Sequence, residues 1–263
     1  MTAQQLLPHV PAAAPDVVIP QYTRSRVLAV WAAAALPMAA LAWLAAPALA
    51  ASLSGPAPLG RALLICLTIG LAWQFVLVLA LVVREQRTVR WAVLREALWL
   101  RRPRSPRTGR AGGRVWLVLL PLMLAFAAVH AGGFPPALPH PAGRDLGALF
   151  GTTDGSALLH GNWALFALAL TMNLLNTVLG EELLFRGFLL PRTSGAFGRA
   201  DWLVNGLLFA AYHLHMWWMI PAALLDALVL AYPSRRYRSA WMGIIVHSGQ
   251  SLFLTALLLA LVL

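Results

Sequence analysis

Glu181 and Glu182 are adjacent acids inside a stretch that otherwise reads as membrane-buried, running from Asn173 to Leu190 and including Arg186. A carboxylate at the centre of a membrane helix costs about 3 kcal/mol, so an ionisable residue there points first to function. In helical register, Asn173, Asn176, Thr177, Gly180 and Glu181 recur at spacings of three and four. They form one polar stripe, which must face a bundle interior. Glu182 points about 100° away and precedes Arg186 by one turn, the favourable order for a helical ion pair. The spacing therefore predicts a division of roles. Glu182 is neutralised by Arg186, and Glu181 is left for chemistry. The competing reading is one buried ionic staple made of all three.

Two further apolar runs carry imidazoles. His213 and His215 lie two apart and point to nearly opposite faces of a helix, so only one is expected at a shared site. His213 shares a face with Phe209 and sits deeper in its run; His215 approaches the belt Met216-Trp217-Trp218-Met219. The last run contains His247-Ser248-Gly249-Gln250-Ser251, with His247 and Ser251 one turn apart. An acid with two imidazoles suits activation of water. Glu181 is the expected general base, and the histidines and Ser251 hold the water or stabilise an oxyanion. The same Glu181, His213 and His247 could instead hold zinc with an open position. Neither a His-Glu-x-x-His segment nor a Gly-x-Ser-x-Gly elbow occurs, which disfavours the usual zinc and serine routes.

In order along the chain, Glu181-Glu182-x-x-x-Arg186, Phe209-x-x-x-His213 and His247-x-x-x-Ser251 resemble the motifs of the CPBP family of intramembrane proteases, the CAAX-processing and bacteriocin-processing (Abi) group. The resemblance covers roughly residues 160–263. It implies hydrolysis of a peptide bond in a membrane-associated, prenylated or leader-bearing substrate. It also implies that Glu181 activates water, that His213 assists, and that His247 and Ser251 support the oxyanion, with Glu182, Arg186 and Phe209 in support. No cofactor is required in that mechanism. Ser251 departs from the family, which most often has Asn there; serine is shorter but still donates a hydrogen bond.

The elements that must position these residues follow from composition. The 263-residue chain is 60% hydrophobic and 11% charged, against about 25% charged in soluble domains. The fold expected is an all-α, polytopic transmembrane helix bundle of about seven spans, six to eight at the limits. The runs are 27–50, 62–83, 116–131, 162–190, 202–218, 219–232 and 241–263. The sixth, bounded by Pro221 and Pro233, is short enough to be re-entrant. The end of the first, Pro47-Ala-Leu-Ala-Ala51, looks like a signal-peptidase site, but the run is too long for a cleavable apolar region. Residues 1–26 are expected to form a flexible tail, 27–263 a single transmembrane domain, and 160–263 its catalytic core.

All twenty basic residues are arginine. Ten of them lie in 84–114 against Glu85 and Glu96, a local charge of +8. With the N-terminus cytoplasmic, eighteen of the twenty fall on the cytoplasmic side, as the positive-inside rule requires. The expected site therefore opens toward the cytoplasmic side of a bacterial cell membrane. The basic block makes anionic lipids a partner expected through 84–114. It lacks the aromatic-interleaved module of a nucleic-acid binder, so no nucleic acid is expected. Cys66 is the only cysteine, which excludes an internal disulfide and a cysteine metal site. Two other function classes remain beside a protease acting on a membrane protein or peptide. One is a non-catalytic membrane immunity or scaffold protein; the other is a transporter using buried Glu and His as an ion path.

Overall fold

The computed structural model describes residues 17–131 and 133–263. Among these the regular structure is helical throughout, with no strand. Six helical stretches are long and apolar enough to cross a membrane: α1 (Arg24–Ala50), α2 (Pro58–Gln86), α3 (Gly113–His130), α4 (Trp163–Arg192), α5 (Ser194–Tyr237) and α6 (Trp241–Val262). Local signals set their starts. The Thr23 hydroxyl accepts from Arg26 N, and the Asn162 side chain accepts from Leu165 N at 3.0 Å, each satisfying an N–H group that a helix start leaves unpaired. Pro58 occupies the first turn of α2, where its missing donor costs nothing.

The 44 residues of α5 would extend about 66 Å as one rod, twice the hydrocarbon thickness. Instead the stretch folds back. Beyond Tyr212 the helix tightens into 3₁₀ turns, and Met216 leaves helical geometry at φ −147°, ψ 57°. The outgoing arm, Asp201–Tyr212, then packs against the return arm, which begins at Ile220–Asp226 and ends at Tyr232–Tyr237. The arms touch closely at Gly206, where an added Cβ would lie 2.1 Å from Ala227 Cβ. Counting the two arms gives the seven crossings expected, with the short sixth run as the return arm.

α2 lies between α1 and α4, α6 packs on α3, α4 and the return arm, and α3 sits at the periphery. Gly70 admits Met38 of α1, and Gly180 of α4 admits Leu71 of α2. The core is continuous across these faces, with Val27, Ala34, Val78, Phe185, Phe188, Phe209 and Tyr212 almost wholly covered.

The basic segment folds onto one end of the bundle. A short helix, Trp91–Ala97, buries Leu94 and Ala97, matching the apolar spacing of the sequence. Residues 103–112 then form a tight hairpin, tied to the end of α5 by Arg104 N donating to Tyr237 O at 2.9 Å. Residues 1–16 of the expected flexible tail lie outside the described residues. Residues 17–23 are bound to the body: Tyr22 is buried, its N–H donates to Arg192 O at 2.8 Å, and Gln21 Nε2 donates to Pro191 O at 3.0 Å. Helix α1 already begins at Arg24.

Candidate active site

In α4 the hydrogen-bond ladder widens into π turns at Leu175–Gly180 and Leu183–Leu189, on either side of the acid pair. In a π turn the bond runs from residue i to i+5, so residues five apart share a face; such turns concentrate at functional sites. This splits the stripe expected from 3.6-residue spacing. Asn176 and Glu181, five apart, line a cavity of about 190 Å³ inside the bundle. Asn173 and Thr177 turn toward α6 instead. Asn173 Nδ2 reaches Thr255 Oγ1 at 3.3 Å, and Thr177 Oγ1 meets the hydroxyls of Ser248 and Ser251 at 3.4 and 3.3 Å.

The cavity is also lined by His213 and Phe209 from α5 and by His247 from α6. Three elements thus bring Glu181, His213 and His247 to one shared space, large enough for several waters at about 30 Å³ each. Glu181 is 3% exposed and has no cationic partner at ion-pair distance among the described residues. Tyr212, whose hydroxyl accepts from Gln74 Nε2 at 2.6 Å, is its neighbour.

Glu182 is fully buried and holds two groups rather than one. Its Oε1 lies 3.1 Å from Arg186 Nη1 and 3.1 Å from His247 Nδ1. It therefore joins α4 to α6 and orients the second imidazole as well as neutralising Arg186. A side chain at Gly243 would place its Cβ 2.2 Å from Glu182 Oε2, so glycine there lets α6 approach the carboxylate. The Arg186 guanidinium lies over the Phe209 ring at 4.1 Å, a favourable placement for a cation out of water. Phe209 meets His213 and His247 edge-on at 4.9 and 6.2 Å between ring centroids, which explains its place in the pattern. His213 Nδ1 lies 2.9 Å from Phe209 O. With Nδ1–H donated to that carbonyl, Nε2 is free to accept a proton from the cavity.

The structure differs from the sequence expectation at two points. Ser251 does not line the cavity; its hydroxyl bonds Thr177, and Gln250 takes the wall position on α6. One residue of register decides this, because α6 presents His247 and Gln250, three apart, to the cavity. His215 does line the cavity and stacks on His213 at 5.5 Å and 22°. Residues two apart take opposite faces on an α-helix, but after Tyr212 the chain runs in 3₁₀ turns broken at Met216. The lining continues toward Leu146, Met216 and Met219, and no arginine contributes to it. The cavity therefore reaches toward the bend of α5 at Met216–Met219.

Two wall residues escaped the sequence reading. Asp226, in the return arm, is 4% exposed, and its Oδ1 lies 3.1 Å from His130 Nε2 at the end of α3. An acid inside the apolar run 219–232 was the available signal, by the same reasoning that singled out Glu181. No cluster of three or more His, Cys, Asp or Glu side chains among the described residues is arranged to hold a metal ion. The zinc set considered from sequence, Glu181, His213 and His247, shares the cavity without forming such a cluster.

No curated protein and no solved structure matches the chain. Residues 162–253, from the cap of α4 into α6, match the family model described as Type II CAAX prenyl endopeptidase Rce1-like. The stretch holding Glu181, His213 and His247 is thus similar to a domain of the CAAX protease family, set within a chain of six candidate membrane spans.

Proposed function

We propose that the protein is an intramembrane endopeptidase in which Glu181 activates water without a metal. The observation that carries the reading is the shared cavity: one acid without a cationic partner among the described residues, and two oriented imidazoles on the same wall. Glu181 accepts a proton from water, and the oxygen attacks the scissile carbonyl carbon. Glu181 then returns that proton to the departing amine as the C–N bond breaks. His213, with Nδ1 held by Phe209 O, positions the water through Nε2. His247, with Glu182 as counterion, donates from Nε2 to the oxyanion in its doubly protonated form, and Gln250 on the same wall adds a neutral donor. With Glu181 ionised, Glu181, Glu182, Arg186 and a His247 imidazolium sum to zero charge, beside the separate Asp226–His130 pair on the same wall.

The substrate proposed is a membrane-associated peptide, prenylated or leader-bearing. The basic loops face the cytoplasm of a cell membrane on the positive-inside argument. Purified protein in liposomes, given a farnesylated peptide and its unlipidated counterpart, tests the proposal by product mass. Glu181→Gln is expected to slow cleavage at least about 100-fold, the lower range for loss of a general base. Equal rates for both proteins would reject Glu181 as the base. Cleavage of neither peptide by folded wild type would reject the substrate class. One zinc per active chain, lost in His213→Ala or His247→Ala, would overturn the metal-free step.

A further inference from the structure

The basic end of the molecule holds a second concavity, of about 650 Å³, that shares no lining residue with the catalytic cavity. Three segments build it: the hairpin 103–112, the entry to the outgoing arm of α5 at 199–202, and the end of the return arm at 232–238. The hairpin is fixed in place. Arg104 N donates to Tyr237 O, and Ser105 N and Gly109 N are bonded within the hairpin at 2.9 and 2.8 Å. Five arginines line the concavity: Arg104, Arg199, Arg235, Arg236 and Arg238. One acid serves them, Asp201, 1% exposed, whose Oδ2 lies 2.5 Å from Arg235 Nε. The other four make no ion pair among the described residues.

Four guanidinium groups around one hollow repel each other, and an anion between them removes the repulsion. Their planar donor forks match phosphate oxygens. The remaining wall identifies the kind of phosphate. Trp202 and Tyr232 meet edge-on at 5.2 Å between ring centroids and line the same hollow; such aromatic groups sit at the headgroup level of a bilayer. Leu203 and Leu228, farther along the two arms, are 43% and 56% exposed, an apolar surface suited to acyl chains. We propose that this concavity binds the phosphodiester headgroup of an anionic phospholipid, with the arginines on the phosphate and the Trp202–Tyr232 pair at the glycerol level. A lipid so bound ties the hairpin to both arms of α5.

The test uses the full chain in a neutral detergent, titrated with phosphatidylglycerol, cardiolipin, phosphatidylcholine or inorganic phosphate, and read by melting temperature and by native mass spectrometry. One variant removes pocket charge (Arg104→Gln, Arg199→Gln, Arg236→Gln). A second removes equal charge elsewhere on the basic face (Arg84→Gln, Arg87→Gln, Arg90→Gln). At about 1 kcal/mol per basic residue near an anionic surface, each arginine is worth roughly a factor of five. The pocket variant is expected to bind the anionic lipids at least about tenfold more weakly, with the control variant near wild type. Equal loss in both variants would overturn the site in favour of diffuse charge. Equal stabilisation by phosphatidylcholine would overturn the anion requirement, and equal stabilisation by inorganic phosphate would overturn the lipid assignment.

Discussion

Two buried clusters in this molecule are made from the same residue types, and they differ in what is left over. Near the basic end, Glu85 accepts from Arg192 Nε and Nη2 at 2.9 and 2.7 Å, is hydrogen-bonded by the Tyr22 hydroxyl, and lies 3.6 Å from Arg26. Arg192 also donates to Ala97 O and Phe188 O at 3.2 and 2.8 Å and covers the Phe188 ring. Every charge there is answered, and the cluster ties residues 17–23, α2, the Trp91–Ala97 helix and α4 together. At the cavity, Glu182, Arg186 and His247 answer one another, but Glu181 remains. An ionic staple closes on itself. A reactive centre keeps one group unpaired and gives it a space to act in.

The contrast can be broken by mutation. Glu181→Gln carries the largest expected effect on turnover, two to four orders of magnitude, while its melting temperature should stay level or rise because a buried charge is removed. A large fall in melting temperature would place Glu181 in a staple. Arg192→Leu should do the reverse. It strands Glu85 and costs about 3–5 kcal/mol of stability, and the protein that remains folded should keep its turnover per molecule; a loss of specific activity would tie this cluster to catalysis.

The staple also predicts a pH dependence. Burial, then the bond to Glu85, pushes the Tyr22 hydroxyl from its ordinary value of 10.0 up to about 12. The folded protein holds this proton more tightly than the unfolded chain. Its contribution is therefore complete below pH 10 and lost as pH rises through about 12, a fall of roughly 2 to 3 kcal/mol. Thermal melts from pH 9 to 12 should show that fall in wild type and a shallower one in Tyr22→Phe. Identical curves would remove Tyr22 from the account. The smallest effect expected is at the cavity wall. Asp226→Asn weakens the contact to His130 and should slow turnover roughly tenfold, the worth of one hydrogen bond to a charged group, with little change in substrate affinity. A change confined to affinity would make Asp226 a binding residue.

Much of the architecture was legible because membrane helices announce themselves by length and apolarity. The runs, the caps at Thr23 and Asn162, and the pairing of Glu182 with Arg186 all follow from local spacing. His215 and Ser251 show where that spacing misleads. A 3₁₀ turn at His213–Met219 brings His215 onto His213, and the register of α6 sends Ser251 to Thr177 while Gln250 meets the cavity. The π turns around Glu181 belong with these cases: a local change of helical pitch re-aims side chains, and residue types alone do not encode it.

By itself, then, the amino-acid order determined that the chain is a membrane helix bundle, that Glu181 is the acid without a partner on its own helix, and that its charge is concentrated at one end. These follow from hydropathy and from neighbours within one turn. Only the tertiary structure decided which imidazoles and wall residues meet Glu181, that Glu182 holds His247, and that Asp226 and His130 pair across helices. Those facts depend on contacts between residues distant in sequence and on departures from 3.6 residues per turn, and both are set by how the helices pack.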